Sequence, residues 1–152
     1  MGCFLSIVHF GRLSSVFIAF YFILVYNRTK LTERRRYMDK QELLLWALNT
    51  YSTQPDYPWM DGNAVLRHQP SRKWYAVLIE VSNQKLGLPG EGLVNVVNVK
   101  CDPLLSGSLR HQSGILPAYH MNKEKWISIL LDGSVDAEIV RTLLDISYWL
   151  TK

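Results

Sequence analysis

Apolar residues at helical spacing open the segment that begins at Met38. Asp39 followed by Glu42 forms an acidic variant of a capping box, which is typical of the first turn of a helix. The apolar positions behind it recur every three or four residues, as one face of an α-helix requires. The pattern predicts a helix from about 40 to 52, and its apolar positions are Leu43, Leu44, Trp46, Ala47, Leu48 and Tyr51.

A β-hairpin pattern follows. Residues 64 to 67 and 74 to 81 are β-rich runs joined by a turn that contains Pro70. Side chains alternate between the two faces of a strand, so the second run presents two different sides. We take as its core face the side that carries Tyr75, Val77, Ile79 and Val81.

Two more strands and two more helices complete the pattern. A Val-rich run from 93 to 100 and a run from 125 to 131 predict strands, with irregular chain from 115 to 124. Asp102 before Pro103 predicts a short helix that stops near Gly114. The last helix begins at Ser134 or Asp136. Its apolar stripe consists of Ile139, Leu143, Ile146 and Leu150, and Val140, Leu144 and Ser147 widen it.

These elements predict an α+β fold. Hairpin-linked strands between terminal helices favour a two-layer sandwich, in which helices cover one face of an antiparallel sheet. The predicted domain spans residues 38 to 152. Residues 1 to 37 are predicted to form an extension outside it: a separate apolar helix from about 4 to 26 followed by a basic linker.

The composition of the chain changes at this boundary. All five Phe lie within the first 22 residues, and residues 16 to 26 form an uninterrupted apolar run. Three interpretations of the extension stay open: upstream sequence ahead of a translation start at Met38, a membrane anchor, and a myristoylated N-terminus at Gly2. A membrane partner is expected only if residues 1 to 37 are genuinely translated.

The predicted domain has its own charge balance and cysteine content. Residues 38 to 152 hold 11 basic and 12 acidic residues, so the basic pI of the whole chain comes from the extension. Cys101 is the single cysteine of the domain and cannot form a disulfide within it. This fits a reducing, cytoplasmic location.

No enzyme-like constellation stands out in the sequence. The histidines are scattered, and the glycine-rich stretch from 87 to 92 lacks the Lys-Ser/Thr of a phosphate-binding loop. A nucleophilic trio of Cys101, His120 and Asp132 has no supporting spacing, and a lone cysteine after a Val-rich strand is more often a small buried hydrophobe. We therefore expect no catalytic residues, no metal site and no cofactor.

The stretch from Tyr119 to Trp126 is the most distinctive of the chain. It places an aromatic ring at each end of a cluster of hydrogen-bond donors, a combination that suits phosphate contact and base stacking. A structural reading is equally open, in which Asn122 caps a turn and Trp126 belongs to the core.

This stretch and several others resemble the MmcQ/YjbR family of bacterial proteins. The resemblance covers essentially all of residues 38 to 152. Its most specific part is the run Pro117-x-Tyr119-His120-Met121-Asn122-Lys123-x-x-Trp126. Softer matches are Met38-Asp39-x-x-Glu42-Leu43-Leu44, Lys100-x-Asp102-Pro103, Leu131-Asp132-Gly133 and Asp145-x-Ser147-Tyr148.

The resemblance implies a small cytoplasmic domain with a fold similar to the frataxin-like CyaY sandwich, usually labelled DNA-binding. It does not extend to iron, because the first helix offers only Asp39 and Glu42 where an acidic ridge would be needed. We expect weak, non-specific DNA binding through Lys100, Arg110, His120, Asn122, Lys123, Lys125 and Trp126. The alternative is a protein-interaction or small-ligand module whose motif is structural, with Asn122 and Lys123 buried.

Overall fold

A computed structural model describes residues 37 to 152. The predicted N-terminal helix and basic linker lie almost wholly outside these residues. The described chain contains three α-helices and five strands in the order αβββαββα. The elements are α1 (Lys40–Tyr51), β1 (Ala64–Arg67), β2 (Trp74–Ser82), β3 (Leu93–Lys100), α2 (Pro103–Leu109), β4 (Ile115–Pro117), β5 (Trp126–Leu130) and α3 (Ala137–Thr151).

Side-chain caps start all three helices. Asp39 and Glu42 form the predicted reciprocal capping box of α1, and Ser52 ends that helix in a left-handed conformation. Asp102 caps α2 ahead of Pro103. Of the two residues proposed to start the last helix, the cap is Asp136, whose side chain accepts a hydrogen bond from the backbone N–H of Glu138.

The five strands form one antiparallel sheet in the order β1-β2-β3-β5-β4. Helices α1 and α3 pack on one of its faces, which we name the helix face. This two-layer α+β arrangement confirms the predicted fold class. The main core lies between the layers and joins side chains such as Leu43 and Leu144 to Leu78, Val97 and Ile129.

The core face predicted for β2 was wrong. Ala76 and Leu78 face the helices, whereas Val77, Ile79 and Val81 lie on the opposite face. Tyr75 is the exception, because a bulge pairs Arg67 with Trp74 and brings Tyr75 into the main core. Both faces of β2 are largely buried, so hydrophobicity alone could not distinguish them.

Two further predictions need correction. Residues 115 to 124 are not wholly irregular, because β4 pairs with β5 over three residues. The stripe predicted for α3 needs correction at two positions: Ile139 and Leu150 are exposed, whereas Leu143 and the predicted flanking positions Val140, Leu144 and Ser147 face the core. The Ser147 hydroxyl accepts from the Lys100 N–H at 2.7 Å and donates to the Tyr75 carbonyl at 2.5 Å, which ties α3 to the sheet.

Candidate functional site

The most distinctive stretch of the sequence crosses the second face of the sheet. We name residues 118 to 122 the strap, and the face that they cross the strap face. Three hydrogen bonds hold the strap: Asn98 Nδ2 donates to the Tyr119 oxygen (2.9 Å), the Tyr119 N–H donates to Ser128 Oγ (2.9 Å), and Ser128 Oγ donates to Asn98 Oδ1 (2.5 Å). Asn98 and Ser128 are almost completely buried, so these bonds satisfy polar groups that lie away from solvent.

The strap positions His120 in a constrained conformation. His120 has a φ of 56°, in the left-handed region that non-glycine residues seldom adopt. Its ring lies against that of Tyr119, with centroids 4.0 Å apart and planes at 64°. The His120 imidazole is exposed, and it lines a groove that runs beside the strap.

Asn122 organises the turn that leads from the strap into β5. Its Oδ1 accepts hydrogen bonds from the backbone N–H groups of Glu124 (2.9 Å) and Lys125 (3.2 Å). This is the turn-capping role that the sequence left open. Asn122 and Lys123 are nevertheless exposed, so the burial expected under the purely structural alternative is absent.

A groove of about 520 Å³ runs beside the strap. Its floor consists of β2 side chains that include Val77 and Ile79. Tyr119 and His120 border one side, and Trp59 and Trp74 lie across from them with ring centroids 5.9 Å apart. The groove thus joins apolar and aromatic side chains to polar residues, which are Asp61 and Asn63 on the β1 side, Glu80 on β2 and Asn98 on β3.

A second cavity, a cleft of about 410 Å³, opens at one end of the sheet. Lysine and tryptophan side chains line it together: Lys73 and Trp74 from the start of β2, Lys100 from the end of β3, and Trp126 from the start of β5. Lys100 and Trp126 are directly opposite each other in the antiparallel pairing. Leu150 and Thr151 of α3 complete the lining.

Strand register concentrates positive charge at this end of the sheet. Arg67 ends β1, Lys73 precedes β2, Lys100 ends β3 and Lys125 precedes β5, and antiparallel pairing brings these four positions together. Lys152 follows α3, and its backbone oxygen accepts a hydrogen bond from Lys73 Nζ. We name these five residues the basic end.

An acidic side chain at this end is already paired. Asp56 contacts Arg67 at 3.0 Å and Arg72 at 2.9 Å. The Arg67 guanidinium also lies over the Trp74 ring, 5.1 Å from its centroid. Asp56 therefore neutralises part of the arginine charge and helps to hold Trp74 in place.

The predicted site residues do not form one cluster. Lys100 and Trp126 line the cleft, and Lys125 directly precedes Trp126 in the chain. His120 belongs to the strap, and Lys123 follows it. Arg110 lines neither the groove nor the cleft; it ends α2, and two of its guanidinium nitrogens are buried with no hydrogen-bond partner among the described residues. Sequence reasoning missed Lys73 and Trp74, because their proximity to Lys100 and Trp126 depends on strand order.

The proposed nucleophilic trio is not assembled. Cys101 is buried in the core on the helix face, where burial raises the pKa of its thiol, whereas His120 lies on the strap face. Within residues 37 to 152, no three histidine, cysteine or carboxylate side chains are grouped as a metal site would require. In the same part of the chain, no helix combines the length and apolar character needed to cross a membrane.

A buried histidine lies on the helix face near the basic end. His68 Nε2 is 2.8 Å from Thr151 Oγ1, and its ring centroid is 4.4 Å from that of Tyr148. Burial lowers the pKa of His68. A hydrogen bond with the Tyr148 backbone acts in the opposite direction, and the nearby cations of Lys152 and Lys73 add to the lowering. The Tyr148 ring stacks on Tyr51, whose hydroxyl donates to the Asp145 carboxylate.

Two bacterial proteins are similar to this chain in sequence. An uncharacterised protein of Bacillus subtilis strain 168, YyaQ, is 39% identical over 117 residues, which make up 76% of this chain and 99% of the relative. An uncharacterised protein of Escherichia coli K12, YjbR, is 40% identical over 53 residues, or 34% of this chain and 45% of the relative.

Among solved structures, the crystal structure of a Pseudomonas syringae protein superposes with a TM-score of 0.74 at 43% identity, covering 76% of this chain and all of the other. The family model described as YjbR matches residues 48–150. This range includes the strands that line the groove and the cleft, and the whole strap. The chain therefore belongs to the YjbR family.

Proposed function

We propose that this protein binds nucleic acid weakly and without strong sequence preference, through the cleft at the basic end. The observation that carries the proposal is the pairing of two lysines, Lys73 and Lys100, with two tryptophans, Trp74 and Trp126, in one cleft. Ammonium groups contact phosphates, and indole rings provide faces on which bases stack.

An excess of cations at the basic end supports this assignment despite the near-neutral balance of the domain. The carboxylates nearby in the chain are Asp102, which caps α2, and Glu124, which precedes Lys125. Four strand ends and the end of α3 contribute cations to the basic end, where Asp56 is already paired with arginines. A local concentration of one sign of charge attracts a polyanion even when the net charge is close to zero. Few phosphate contacts imply modest affinity.

Each residue takes a defined role under this proposal. Lys73 and Lys100 contact phosphates inside the cleft, and Lys125 contacts one at its rim. Trp74 and Trp126 provide stacking surfaces. Asn122 acts indirectly, because its carboxamide oxygen shapes the turn that presents Lys123 and Lys125.

The proposed activity is binding rather than catalysis. We propose a cytoplasmic location, in which the protein meets nucleic acid directly. Its lysine side chains contact phosphates without a cofactor or a metal ion. Arg110 is the least supported of the predicted contacts, because part of its guanidinium is buried away from both cavities.

Fluorescence anisotropy with a labelled oligonucleotide tests the proposal. Lys73→Gln and Lys100→Gln should each weaken binding several-fold, because each removes one phosphate contact. The matched control is Lys85→Gln: Lys85 is exposed, follows the end of β2 that lies opposite Lys73, and lines neither the groove nor the cleft. Equal affinities for all three variants and the wild type would refute the assignment of the cleft.

A further inference from the structure

Trp74 lines both the cleft and the groove, which makes the two cavities neighbours. We infer that the groove takes an unpaired nucleobase, so that the ligand is a single strand and not a duplex. The inference rests on the proposed function, because it places the phosphates of the same ligand at the basic end. A strand with its phosphates near Lys73 and Lys100 passes the Trp74 ring before its next base reaches the groove.

The lining of the groove fits a flat aromatic ring. The half-buried Ile79, with the almost fully buried Val77 beside it, forms an apolar floor, and the rings of Trp59 and Trp74 are nearly perpendicular, at 83°. Trp59 is 47% exposed and Trp74 half-buried, so each retains surface that a base can cover. Antiparallel sheets with aromatic side chains on one face bind splayed bases of single strands in this way.

A duplex cannot use this surface. Its bases are stacked and paired inside the helix, so it presents mainly phosphates to the protein. Phosphates match the lysines of the cleft but gain nothing from Val77, Ile79 or the Trp59 ring. The apolar groove therefore distinguishes a strand with free bases from one without them.

Charge orients the bound strand, with a base toward the groove and the phosphates toward the cleft. The Asp61 carboxylate lines the groove and is held by the backbone N–H and Nδ2 of Asn63, at 3.0 and 2.8 Å. A carboxylate disfavours a phosphate but accepts hydrogen bonds from the exocyclic amino groups of bases. Asp61 thus favours a base in the groove, while the lysines favour the phosphates in the cleft.

Three probes test the inference at one salt concentration: a short single strand, the same strand annealed to its complement, and an abasic strand with the same phosphates. The single strand should bind roughly five-fold or more tightly than the abasic strand, because one stacked base contributes at least that much. The duplex should bind no more tightly than the abasic strand.

Trp59→Ala should remove this preference and leave the affinity for the abasic strand unchanged. Trp59 lies on an exposed loop, and circular dichroism will verify that the variant is folded. The matched control for loss of exposed apolar surface is Leu45→Ala, because Leu45 is 59% exposed on α1 and lines neither cavity. It should bind all three probes as the wild type does.

The two proposals fail in different ways. Equal, salt-dependent binding of all three probes, with no effect of Trp59→Ala, would overturn the single-strand inference and leave the basic end as a phosphate site. Tighter binding of the duplex than of the single strand would overturn it as well. Absence of binding by every probe would overturn both proposals.

Discussion

Asn98 on β3 donates a hydrogen bond to the backbone oxygen of Tyr119, 2.9 Å away, and thereby fixes the strap over a neighbouring strand. Its own carboxamide oxygen accepts from Ser128 Oγ, whose hydroxyl oxygen accepts from the Tyr119 N–H. These three residues convert an otherwise unpaired loop into one wall of the groove. The conformation of His120 follows from this anchoring, because its neighbour cannot shift without breaking two bonds.

Asn98→Ala should therefore destabilise the domain and loosen the strap. It leaves the Ser128 hydroxyl and the Tyr119 carbonyl without their partner, and one unsatisfied buried group costs about 1–3 kcal/mol. We expect the free energy of unfolding to fall by about 2 kcal/mol in urea titrations. Asn95→Ala on the same strand is the control, and an equal loss in both variants would contradict a specific role of Asn98.

Ser147 plays a comparable part on the helix face. Its hydroxyl links the Lys100 N–H to the Tyr75 carbonyl and is fully buried. Ser147→Ala should lower the unfolding free energy by about 2 kcal/mol, because both backbone groups lose their partner. Ser108→Ala on α2 removes an exposed hydroxyl and should change it by less than about 0.5 kcal/mol. Thermal unfolding followed by circular dichroism compares the two.

Gly114 and Gly107 form a contrasting pair. Gly114 has a φ of 80°, and a Cβ there would lie 2.4 Å from atoms of Ser134 and Val135. Gly114→Ala should cost at least about 2 kcal/mol, because left-handed strain alone costs about 1–2 kcal/mol. Gly107 lies within α2 with open space around it, so Gly107→Ala should stabilise by about 0.5–1 kcal/mol. Similar losses in both variants, measured by urea unfolding, would contradict this reading of the backbone.

The sequence predicted where the helices begin better than it predicted which side of β2 faces the helices. The caps at Asp39, Asp102 and Asp136 act locally, so the sequence alone could predict where the helices begin. The two sides of β2 could not be distinguished from the sequence, because Val81 on the strap face is buried about as thoroughly as Leu78 on the helix face. Only the strand order, with β5 between β3 and β4, brings Trp126 opposite Lys100.

The buried His68 predicts a pH dependence of stability. Its pKa is lowered in the folded state, chiefly by burial, so the unfolded chain binds the proton more readily. The free energy of unfolding should therefore be highest above the ordinary pKa of about 6.5 and fall as the pH drops below it. His68→Gln should flatten this fall in urea titrations between neutral and mildly acidic pH.

The control for this pH effect is His111→Gln, because His111 is exposed. It should show the same fall as the wild-type protein. If the free energy of unfolding of the wild-type protein stays constant as the pH drops below the ordinary pKa of histidine, protonation of His68 does not destabilise the fold, and the prediction is contradicted. An unchanged fall in His68→Gln would assign the effect to other groups.

The salt dependence of oligonucleotide binding tests the central claim most directly. If Lys73, Lys100 and Lys125 each contact a phosphate of a single strand, log affinity should fall against log salt with a slope of about −2. The double variant Lys73→Gln/Lys100→Gln should reduce that slope to about −0.7. A slope near zero in the wild-type protein, or an unchanged slope in the double variant, would contradict nucleic-acid binding at the basic end and favour the small-ligand or protein-interaction alternative.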